Sequence, residues 1–350
     1  TMLPSGLNPT FLNADFAAMD ERELRCLTTK FVPLAPDEQY SPQTYVRVLE
    51  GIRRGGALGA RGEPVPGCRD YARQVAELSR ELGCPLLAGG VTLHPNPRPV
   101  GPHDLWVTRN SALWFDGAPK AEGVYSKMHL VPFSEYVPFK HSWRWLHERL
   151  RGFVPPVMQQ LDPGPRVVRF ELTGREGPLR LATPICYEGT FARICRDMVV
   201  EDGRKSVDIL ANLSNDGWFV YSWRGGPPRG STEHPQHMVQ YVFRAVETRT
   251  AVVRAVNTGI SASIDPNGRI AAVLEQYGVA TMVRGSLLLD GREDTEPGDP
   301  QHGPKVLVDG RVSMYSLTGD VFAQAVSAAA GALTLWLLWK RLRTRKGSRQ

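Results

Sequence analysis

The sequence predicts a layered α/β protein followed by one helix long and apolar enough to span a membrane. Three observations support this prediction. Apolar, strand-like runs alternate with amphipathic helical stretches, several of these runs are bounded by tight-turn residues, and an uncharged apolar segment lies near the C-terminus. Alternation of strands and helices is typical of proteins in which helices cover the faces of a sheet. An apolar share of 42% is sufficient for a sizeable core.

The first half of the chain contains one clear helical pattern and two strand patterns. A helix is predicted over residues 68–82, where apolar residues recur on one face. Strands are predicted over 85–93 and 105–115, and Asp116-Gly117 supplies a hairpin-type turn after the second strand. Residues 125–139 form a loop rich in proline and aromatic residues, and the stretch that follows it is predicted to be a long connection.

The second half continues the alternation of strands and helices. Strands are predicted over residues 167–172, 179–185, 208–214, 251–256 and 261–265. Helices are predicted over residues 191–200 and 235–250. The polar stretch over residues 288–305, rich in Gly, Asp, Glu and Pro, is predicted to be a linker.

The C-terminal segment has the composition of a membrane anchor. Val321–Trp339 is a run of nineteen residues without a charge, close to the ~20 residues that a helix needs to cross a bilayer. Trp336 and Trp339 suit the membrane interface, and a basic tail follows them. The positive-inside rule then predicts a cytoplasmic tail and a body on the opposite side. The first thirty residues lack a signal-peptide pattern, so the chain is either a fragment or is exported by another device.

Charge and cysteine content exclude several classes of function. The net charge is +6, but six basic residues lie within the last eleven positions, so the body is close to neutral. This balance argues against a nucleic-acid surface. The five cysteines contain no C-x-x-C pair and give neither a metal signature nor a disulfide framework. His129, His234 and His237 lack a convincing third ligand, and we therefore expect no metal and no cofactor.

One cysteine stands out by its position. In T-P-I-C-Y-E-G (183–189) an apolar strand leads into Cys186, and Glu188 follows two residues later. A thiol at the end of a buried strand, entering a polar turn beside a carboxylate, is fixed in place yet reachable. The alternative is that Cys186 is a small core residue, since free cysteine is among the most buried residue types.

Several motifs, in their order along the chain, make this sequence similar to a known family. These motifs are K-M-H-L-V-P-F-S-E-Y-V-P-F (127–139), I-C-Y-E (185–188), S-N-D-G-W-F (214–219), R-A-V-E-T-R-T-A-V-V-R-A-V-N-T-G-I-S-A-S-I-D-P-N-G-R-I (244–270) and S-M-Y-S-L-T-G-D (313–320). They resemble the catalytic domain of bacterial apolipoprotein N-acyltransferases, which are membrane members of the nitrilase, or carbon–nitrogen hydrolase, superfamily. The resemblance covers roughly residues 65 to 340 and implies a four-layer α-β-β-α sandwich.

The resemblance also implies a division of the chain and a location. We expect a lead-in segment over 1–26, a catalytic domain over 27–318, a transmembrane helix over 319–340 and a basic cytoplasmic tail over 341–350. The expected location is the bacterial inner membrane, with the catalytic domain on its periplasmic, outer face.

A Glu–Lys–Cys triad is implied by the same resemblance. Cys186 would be the nucleophile and form an acyl thioester, and Lys127 would stabilise first the thiolate and then the tetrahedral oxyanion. Glu63 would be the general base, since a predicted helix and P-L-L-A-G-G follow it as in the family. The W-P-E context that the family has around this residue is absent here. The alternative for Glu63 is a loop carboxylate without a catalytic role.

Further residues match supporting positions of the family. Glu135 would be a second carboxylate close to the lysine and the cysteine, orienting or tuning them. Glu188, Tyr187 and Trp218 match positions that line the acyl site, and Asn110 matches an asparagine that precedes the lysine loop. The alternative for each of them is structural support.

The implied activity is a two-step acyl transfer. Cys186 would take a fatty acyl group from a phospholipid, and the N-terminal amine of a diacylglyceryl-cysteine lipoprotein would then attack the thioester. The expected partners are therefore a phospholipid donor, a diacylated lipoprotein acceptor and the membrane, with no nucleic acid. Two other functions fit the sequence: a membrane-anchored amidase that uses water as the acceptor, and an inactive nitrilase-like binding domain.

Overall fold

The computed structural model describes residues 71–97, 106–117, 121–140, 142–154, 161–174, 177–221, 229–276 and 308–347. Within these ranges the helices are α1 (Tyr71–Leu82), α2 (Arg144–Arg151), α3 (Ala192–Val199), α4 (Glu233–Thr248), α5 (Met314–Thr318) and α6 (Val321–Gly347). The longer strands are β1 (Leu86–Pro95), β2 (Trp106–Phe115), β3 (Gly123–Ser126), β4 (Arg169–Gly174), β5 (Gly177–Ala182), β8 (Ile209–Asn215), β11 (Ala251–Asn257), β12 (Gly259–Ile264) and β13 (Ile270–Gln276). Four two-residue strands form two small hairpins: β6 (Val200–Glu201) with β7 (Arg204–Lys205), and β9 (Val220–Tyr221) with β10 (Arg229–Gly230).

Two sheets form the body of the described protein. One is antiparallel, in the order β1-β2-β3. The other has six strands in the order β13-β12-β11-β8-β5-β4. The three strands at its centre, β11, β8 and β5, run parallel, and the outer pairs are antiparallel. The carboxyl ends of three consecutive parallel strands therefore meet at one edge of this sheet.

The two sheets pack face to face through alternate residues of β2. Ala112 and Trp114 belong to the main buried cluster, and the Trp114 ring stacks on Phe170 of β4 at 5.6 Å between centroids. The intervening residues, Leu113 and Phe115, point to the opposite side, where they pack with Ala76 of α1. This alternation is the period-2 pattern of a strand buried on both faces. Full burial of a side chain such as Leu113 or Phe115 contributes about 1.5–3 kcal/mol.

Helices cover the outer face of each sheet. The helix α1 lies on the three-stranded sheet, and α3 and α4 contribute Cys195, Met198, Tyr241 and Ala245 to the core beneath the six-stranded sheet. The order of layers is therefore helix, sheet, sheet, helix. The predicted α-β-β-α sandwich is confirmed.

The structure differs from the predicted elements in several places. The stretch predicted to be a connection after the 125–139 loop contains the two-turn helix α2. The edge strands β3 and β13 were not predicted. The strand predicted over 179–185 ends at Ala182, because Pro184 has no amide hydrogen to donate to the ladder.

The last helix has the length and composition of a membrane span. Val321–Arg341 contains an 18-residue window with a mean hydropathy of 1.7, and none of that window is buried against the rest of the described protein. An apolar helix of this length that is not buried among the described residues is typical of a membrane span. The structure thus agrees with the prediction of one candidate membrane helix after the sandwich.

Candidate active site

Cys186 lies directly after the parallel strands at the centre of the six-stranded sheet. Ile185 forms a parallel bridge with Leu213 of β8, and a short 3₁₀ helix over Cys186–Thr190 begins at the next residue. Cys186 has a φ of 48°, in the left-handed region that non-glycine residues rarely adopt, and its side chain is partly buried. The thiol is therefore held on a sharp turn at the carboxyl edge of parallel strands, which is where open α/β sheets bind ligands.

Lys127 belongs to a buried hydrogen-bonded group. Its side chain is 1% exposed, and Nζ lies 2.7 Å from Oε2 of Glu135. The same oxygen accepts the amide of Val131 at 2.8 Å, and Oε1 accepts the side-chain amide of Asn110 at 3.0 Å. The Lys127 amide in turn donates to the Asn110 carbonyl at 2.8 Å. The structure thus brings three predicted site residues, Lys127, Glu135 and Asn110, into contact and fixes the ammonium group.

Glu188 joins the lysine loop to the cysteine turn. Its Oε1 accepts the amides of Met128 and His129 at 2.7 and 3.1 Å, and these residues directly follow the lysine. Its Oε2 accepts the amide of Ile185, which precedes the cysteine, at 2.8 Å. The Tyr125 hydroxyl contacts both carboxylate oxygens, at 2.8 and 3.0 Å. One carboxylate therefore sets the relative position of the two chain segments that carry the predicted lysine and nucleophile.

The Glu188 carboxylate is buried, and its hydrogen-bond donors are groups of the protein. Its side chain is fully buried. Burial raises the pKa of Glu188 above its usual range, and the hydrogen bonds from backbone amides and from Tyr125 oppose part of that rise. These contacts give Glu188 a structural role, and its predicted place in the lining of an acyl site stays a prediction.

The remaining predicted site residues differ in their surroundings. The ring of Tyr187 lies over His129, with 6.2 Å between centroids. Trp218 lies on the short 3₁₀ helix Gly217–Phe219 and is exposed. Glu63, the predicted general base, lies outside the described residues, so its position relative to Cys186 and Lys127 stays a prediction.

The family of this chain follows from a comparison of its sequence with known families. A family model described as carbon–nitrogen hydrolase matches residues 67–283, which is more than half of the chain. The chain belongs to the carbon–nitrogen hydrolase family. This membership agrees with the resemblance stated from the motifs.

The relatives of this carbon–nitrogen hydrolase include acyltransferases. The chain is 32% identical over 215 residues to apolipoprotein N-acyltransferase 2 of Treponema pallidum (strain Nichols), a match that covers 61% of this chain and 34% of that protein. It is 37% identical over 207 residues to the apolipoprotein N-acyltransferase of Rhodopseudomonas palustris (strain ATCC BAA-98 / CGA009), with coverages of 59% and 34%. The chain thus spans about a third of the length of these curated relatives.

A solved structure is also similar to this carbon–nitrogen hydrolase. It is a mutant of the amidase from Nesterenkonia sp. AN1, carrying acrylamide added at its active-site cysteine. The similarity has a TM-score of 0.40 at 14% identity, and it covers 78% of this chain and 88% of the amidase.

Beneath Cys186 this carbon–nitrogen hydrolase has a buried polar cluster that was not predicted from the sequence. Asp216 pairs with Arg254 at 2.5 Å, and both its oxygens lie 3.2 Å from Nδ1 of His237. Burial alone would raise the pKa of the Asp216 carboxyl, but the hydrogen bond from His237 and the positive charge of Arg254 hold it below its usual range. A signal was present in the sequence, since Asp216 lies in the S-N-D-G-W-F motif and His237 lies one helical turn before Tyr241.

Part of the same cluster, together with Cys186, has the residue types and the spacing of a metal site. One ligand atom each from Cys186, Asp216 and His237 lies within 4.8 Å of the others. The Asp216 carboxylate already pairs with a buried guanidinium, whose positive charge opposes a cation at the same place. The residues therefore fit a metal ion poorly, and the expectation of no metal stays a prediction.

Proposed function

We propose that this chain carries the catalytic part of an N-acyltransferase that moves a fatty acyl group from a phospholipid to the N-terminal amine of a diacylated lipoprotein. The observation that carries the proposal is the placement of Cys186 on a strained turn that Glu188 ties to the loop of Lys127. Family membership supports acyl chemistry at a cysteine, and the names of the relatives support the choice of substrates.

In the first step Cys186 acts as the nucleophile. Its thiolate attacks the ester carbonyl of the phospholipid, a carbon–sulfur bond forms, and the carbonyl oxygen takes the negative charge. The Lys127 ammonium stabilises this oxyanion. Collapse of the intermediate breaks the carbon–oxygen bond, and the lysophospholipid leaves as an alcohol after taking a proton. Glu63 is proposed as the group that accepts the thiol proton and passes it to the leaving oxygen.

In the second step the lipoprotein amine replaces the alcohol. The amine attacks the thioester carbonyl, the base removes one of its protons, and collapse forms the amide and restores the Cys186 thiolate. Glu135 holds the Lys127 ammonium in place throughout, because it accepts a hydrogen bond from that group at 2.7 Å in a largely buried pair. Asn110 orients Glu135 from the other side.

A set of exposed aromatic residues supports a lipid substrate. We call Phe139, Trp143, Trp145 and Phe153, on and beside α2, the aromatic ridge; Phe153 is 85% exposed. Large aromatic side chains with basic neighbours are typical of surfaces that lie in a membrane interface. The arginines Arg144, Arg149 and Arg151 belong to the same helix. We propose that the ridge lies in the bilayer surface and admits lipids to Cys186.

The candidate membrane helix completes the proposal. We propose that residues 319–340 anchor the domain in the bacterial inner membrane, with residues 27–318 on the periplasmic face and the basic residues 341–350 in the cytoplasm. Residues 1–26 would precede the catalytic domain. Both substrates are lipids, so confinement of enzyme and substrates to one membrane raises their rate of encounter and limits their relative orientation.

Labelled phospholipid tests the proposal directly. The membrane-bound protein should form a hydroxylamine-sensitive acyl adduct at Cys186, and a diacylated lipopeptide should then receive the acyl group on its amine. Cys186→Ala should form no adduct, whereas Cys84→Ser, the matched change at an exposed cysteine, should behave as the wild type. Glu63→Gln should slow adduct formation by about 10²–10⁴-fold, the usual contribution of a general base.

The outcome also separates the other functions. Acyl release to water without N-acylation would favour a hydrolase. Absence of an adduct in the wild type would favour a binding domain without activity. Replacement of the aromatic ridge by serine should lower the rate with phospholipid vesicles and leave the rate with a soluble activated ester unchanged. An equal rate on vesicles would contradict the proposed role of the ridge.

A further inference from the structure

Two side chains of α4 converge on the backbone carbonyl of Cys186. The hydroxyl of Tyr241 donates to this oxygen at 2.7 Å, and Nε2 of His237 lies 3.2 Å from it. Both side chains are buried, and burial raises the pKa of Tyr241 well above its ordinary value, so its hydroxyl keeps the proton that it donates. A carbonyl oxygen can only accept. His237 must therefore carry a proton on Nε2 and donate it to Cys186.

The other nitrogen of the imidazole is held by the buried ion pair. Nδ1 of His237 lies 3.2 Å from both oxygens of Asp216 and 3.2 Å from Nη2 of Arg254. Asp216 and Arg254 are themselves paired and fully buried, so they cannot move aside without losing that contact. The ring is therefore fixed at both nitrogens, and its orientation is set by fully buried groups.

This geometry excludes one obvious interpretation of the cluster. A cysteine, a histidine and an aspartate within 4.8 Å resemble a cysteine–histidine pair in which the imidazole removes the thiol proton. Here Nε2 is already protonated and engaged with the carbonyl of Cys186, and Nδ1 faces Asp216 and Arg254. Neither nitrogen has a lone pair directed at Sγ, so His237 has no basic site for the thiol.

The backbone of Cys186 explains why two donors are needed. A φ of 48° in a non-glycine residue costs of order 1–3 kcal/mol, and it persists only where the surroundings over-determine it. Two hydrogen bonds to the carbonyl fix the peptide plane that follows the α-carbon. The direction of the Cys186 side chain is then set relative to that plane.

We propose that His237 and Tyr241 are positioning residues that hold the Cys186 carbonyl and thereby keep the thiol in the one orientation from which it attacks. We refer to this pair as the carbonyl clamp. Asp216 and Arg254 belong to it indirectly, because they fix the imidazole. The inference rests on the proposed role of Cys186 as the nucleophile. No proton leaves His237 during the reaction.

Acylation by a small activated ester tests the clamp apart from lipid binding. The full chain in detergent is mixed with p-nitrophenyl butyrate, and the rate constant of Cys186 acylation at saturation is measured together with the half-saturating concentration. The variants are His237→Leu and Tyr241→Phe, each of which removes one donor, and His237→Gln, whose side-chain amide can still donate. The matched control is Thr248→Val, which removes a buried hydroxyl bond elsewhere on α4.

The expected result is a loss in the acylation step alone. His237→Leu and Tyr241→Phe should each lower the rate constant about fivefold, the equivalent of one hydrogen bond, with an unchanged half-saturating concentration. His237→Gln should recover the wild-type rate to within about twofold, and Thr248→Val should match the wild type. Melting temperatures of all variants identify those that are folded, and Tyr241→Phe keeps the shape of the side chain if His237→Leu does not fold.

Three outcomes would overturn the inference. Folded Tyr241→Phe could acylate at the wild-type rate, His237→Gln could be as slow as His237→Leu, or Thr248→Val could lose as much as the clamp variants. If wild-type Cys186 forms no adduct with the ester, the proposed function fails and the clamp fails with it. An adduct that forms normally but is insensitive to the clamp variants overturns the clamp alone.

Discussion

At the scale of single residues, the site depends on charges that are removed from water and paired. The ammonium of Lys127 is almost fully buried against Glu135, and the carboxylate of Asp216 against Arg254. Each pair costs desolvation energy, and the loss of one partner leaves an uncompensated buried charge. Such pairs contribute little net stability compared with apolar residues of the same volume. Their value here lies in the fixed position of each charged group.

The first prediction concerns the Lys127–Glu135 pair. Glu135→Leu should lower the free energy of unfolding by about 3–5 kcal/mol, because it leaves the Lys127 ammonium buried without its partner. Glu201→Ala removes a pair with Arg169 that is exposed to water, and should cost no more than about 1 kcal/mol. Denaturant unfolding of both variants in detergent measures the difference. Similar losses in the two variants would contradict the prediction.

A second prediction concerns His94 on β1. Burial, assisted by the positive charge of Arg109, lowers the pKa of His94 from 6.5 to about 4. The unfolded chain therefore binds a proton between pH 6.5 and pH 4 that the folded chain does not. Stability from this group is present above pH 6.5 and is lost as the pH falls towards 4.

The variant His94→Gln isolates this effect. Its melting temperature should fall less steeply than that of the wild type between pH 7 and pH 4, because glutamine does not titrate. The difference between the two proteins at each pH is the quantity to measure. A difference that stays constant over this range would show that His94 is not responsible.

At the scale of elements, the site depends on how closely α4 approaches the cysteine turn. Gly189, in the 3₁₀ helix that begins at Cys186, has no room for a side chain, since an added Cβ would lie 2.0 Å from the Tyr241 ring. Arg244, one turn further along α4, donates to the carbonyls of Gly189 and Thr190. The helix therefore contacts both ends of the turn, at Cys186 and at Thr190.

The third prediction follows from this close approach. Gly189→Ala should cost about 1–3 kcal/mol of folding free energy, the usual cost of overpacking, because the methyl group displaces Tyr241. Gly152→Ala is the control, since its added methyl group would lie 3.4 Å from the nearest atom and its φ is −63°. Denaturant midpoints measure both changes. Gly189→Ala without a loss of stability would show that α4 can move away freely.

At the scale of the whole molecule, the sandwich and the last helix require different solvents. The sandwich buries its apolar residues between its own layers, whereas α6 contacts none of them along its apolar stretch. A helix of this kind is stable only where another apolar phase covers it. In a membrane, this candidate helix would hold the rest of the protein at the bilayer surface.

The fourth prediction tests this role with the full chain. Leu333→Arg combined with Leu337→Arg places two charges in the apolar stretch, and the charge at 333, nearer the centre of the stretch, should cost about 2.5–3.5 kcal/mol of insertion free energy. The protein should then be released from membranes by alkaline carbonate. Leu333→Ala with Leu337→Ala should remain in the membrane fraction. Retention of the arginine variant after carbonate treatment would contradict the assignment of a span.

Much of this architecture could be predicted from the sequence, and the reason differs between elements. The strands β1, β2, β8 and β11 were predicted because each contains an apolar run, and β2, β8 and β11 carry buried residues on both faces. The helix α2 was missed because it has only two turns and mostly exposed side chains. Its apolar residues therefore do not form the periodic stripe that marks a helix packed on a core. The edge strand β3 has only four residues, too few to show an alternation.

The candidate site also contains residues that could be predicted from the sequence and residues that could not. Cys186, Lys127 and Glu135 were identified because chemistry requires their residue types, and motifs identified them. The clamp was not predicted, since the functions of His237 and Tyr241 arise from contacts with a carbonyl 51 and 55 residues away. Every residue type has a backbone carbonyl, so a hydrogen bond to the backbone leaves no pattern in the sequence. A single sequence therefore indicates candidate reacting groups and does not indicate the groups proposed to hold them.

The short helix α5 affects how this protein would encounter substrates in the same membrane. Arg196 donates to three successive carbonyls of α5, those of Tyr315, Ser316 and Leu317, and Gly319 then turns the chain sharply into α6. The connection between the domain and α6 is therefore held by hydrogen bonds and is not a flexible linker. With α6 in a bilayer, the domain could not tumble, and encounters would become a two-dimensional search. Turnover would then follow the mole fraction of substrate in the lipid rather than its bulk concentration, and dilution with inert lipid would slow it.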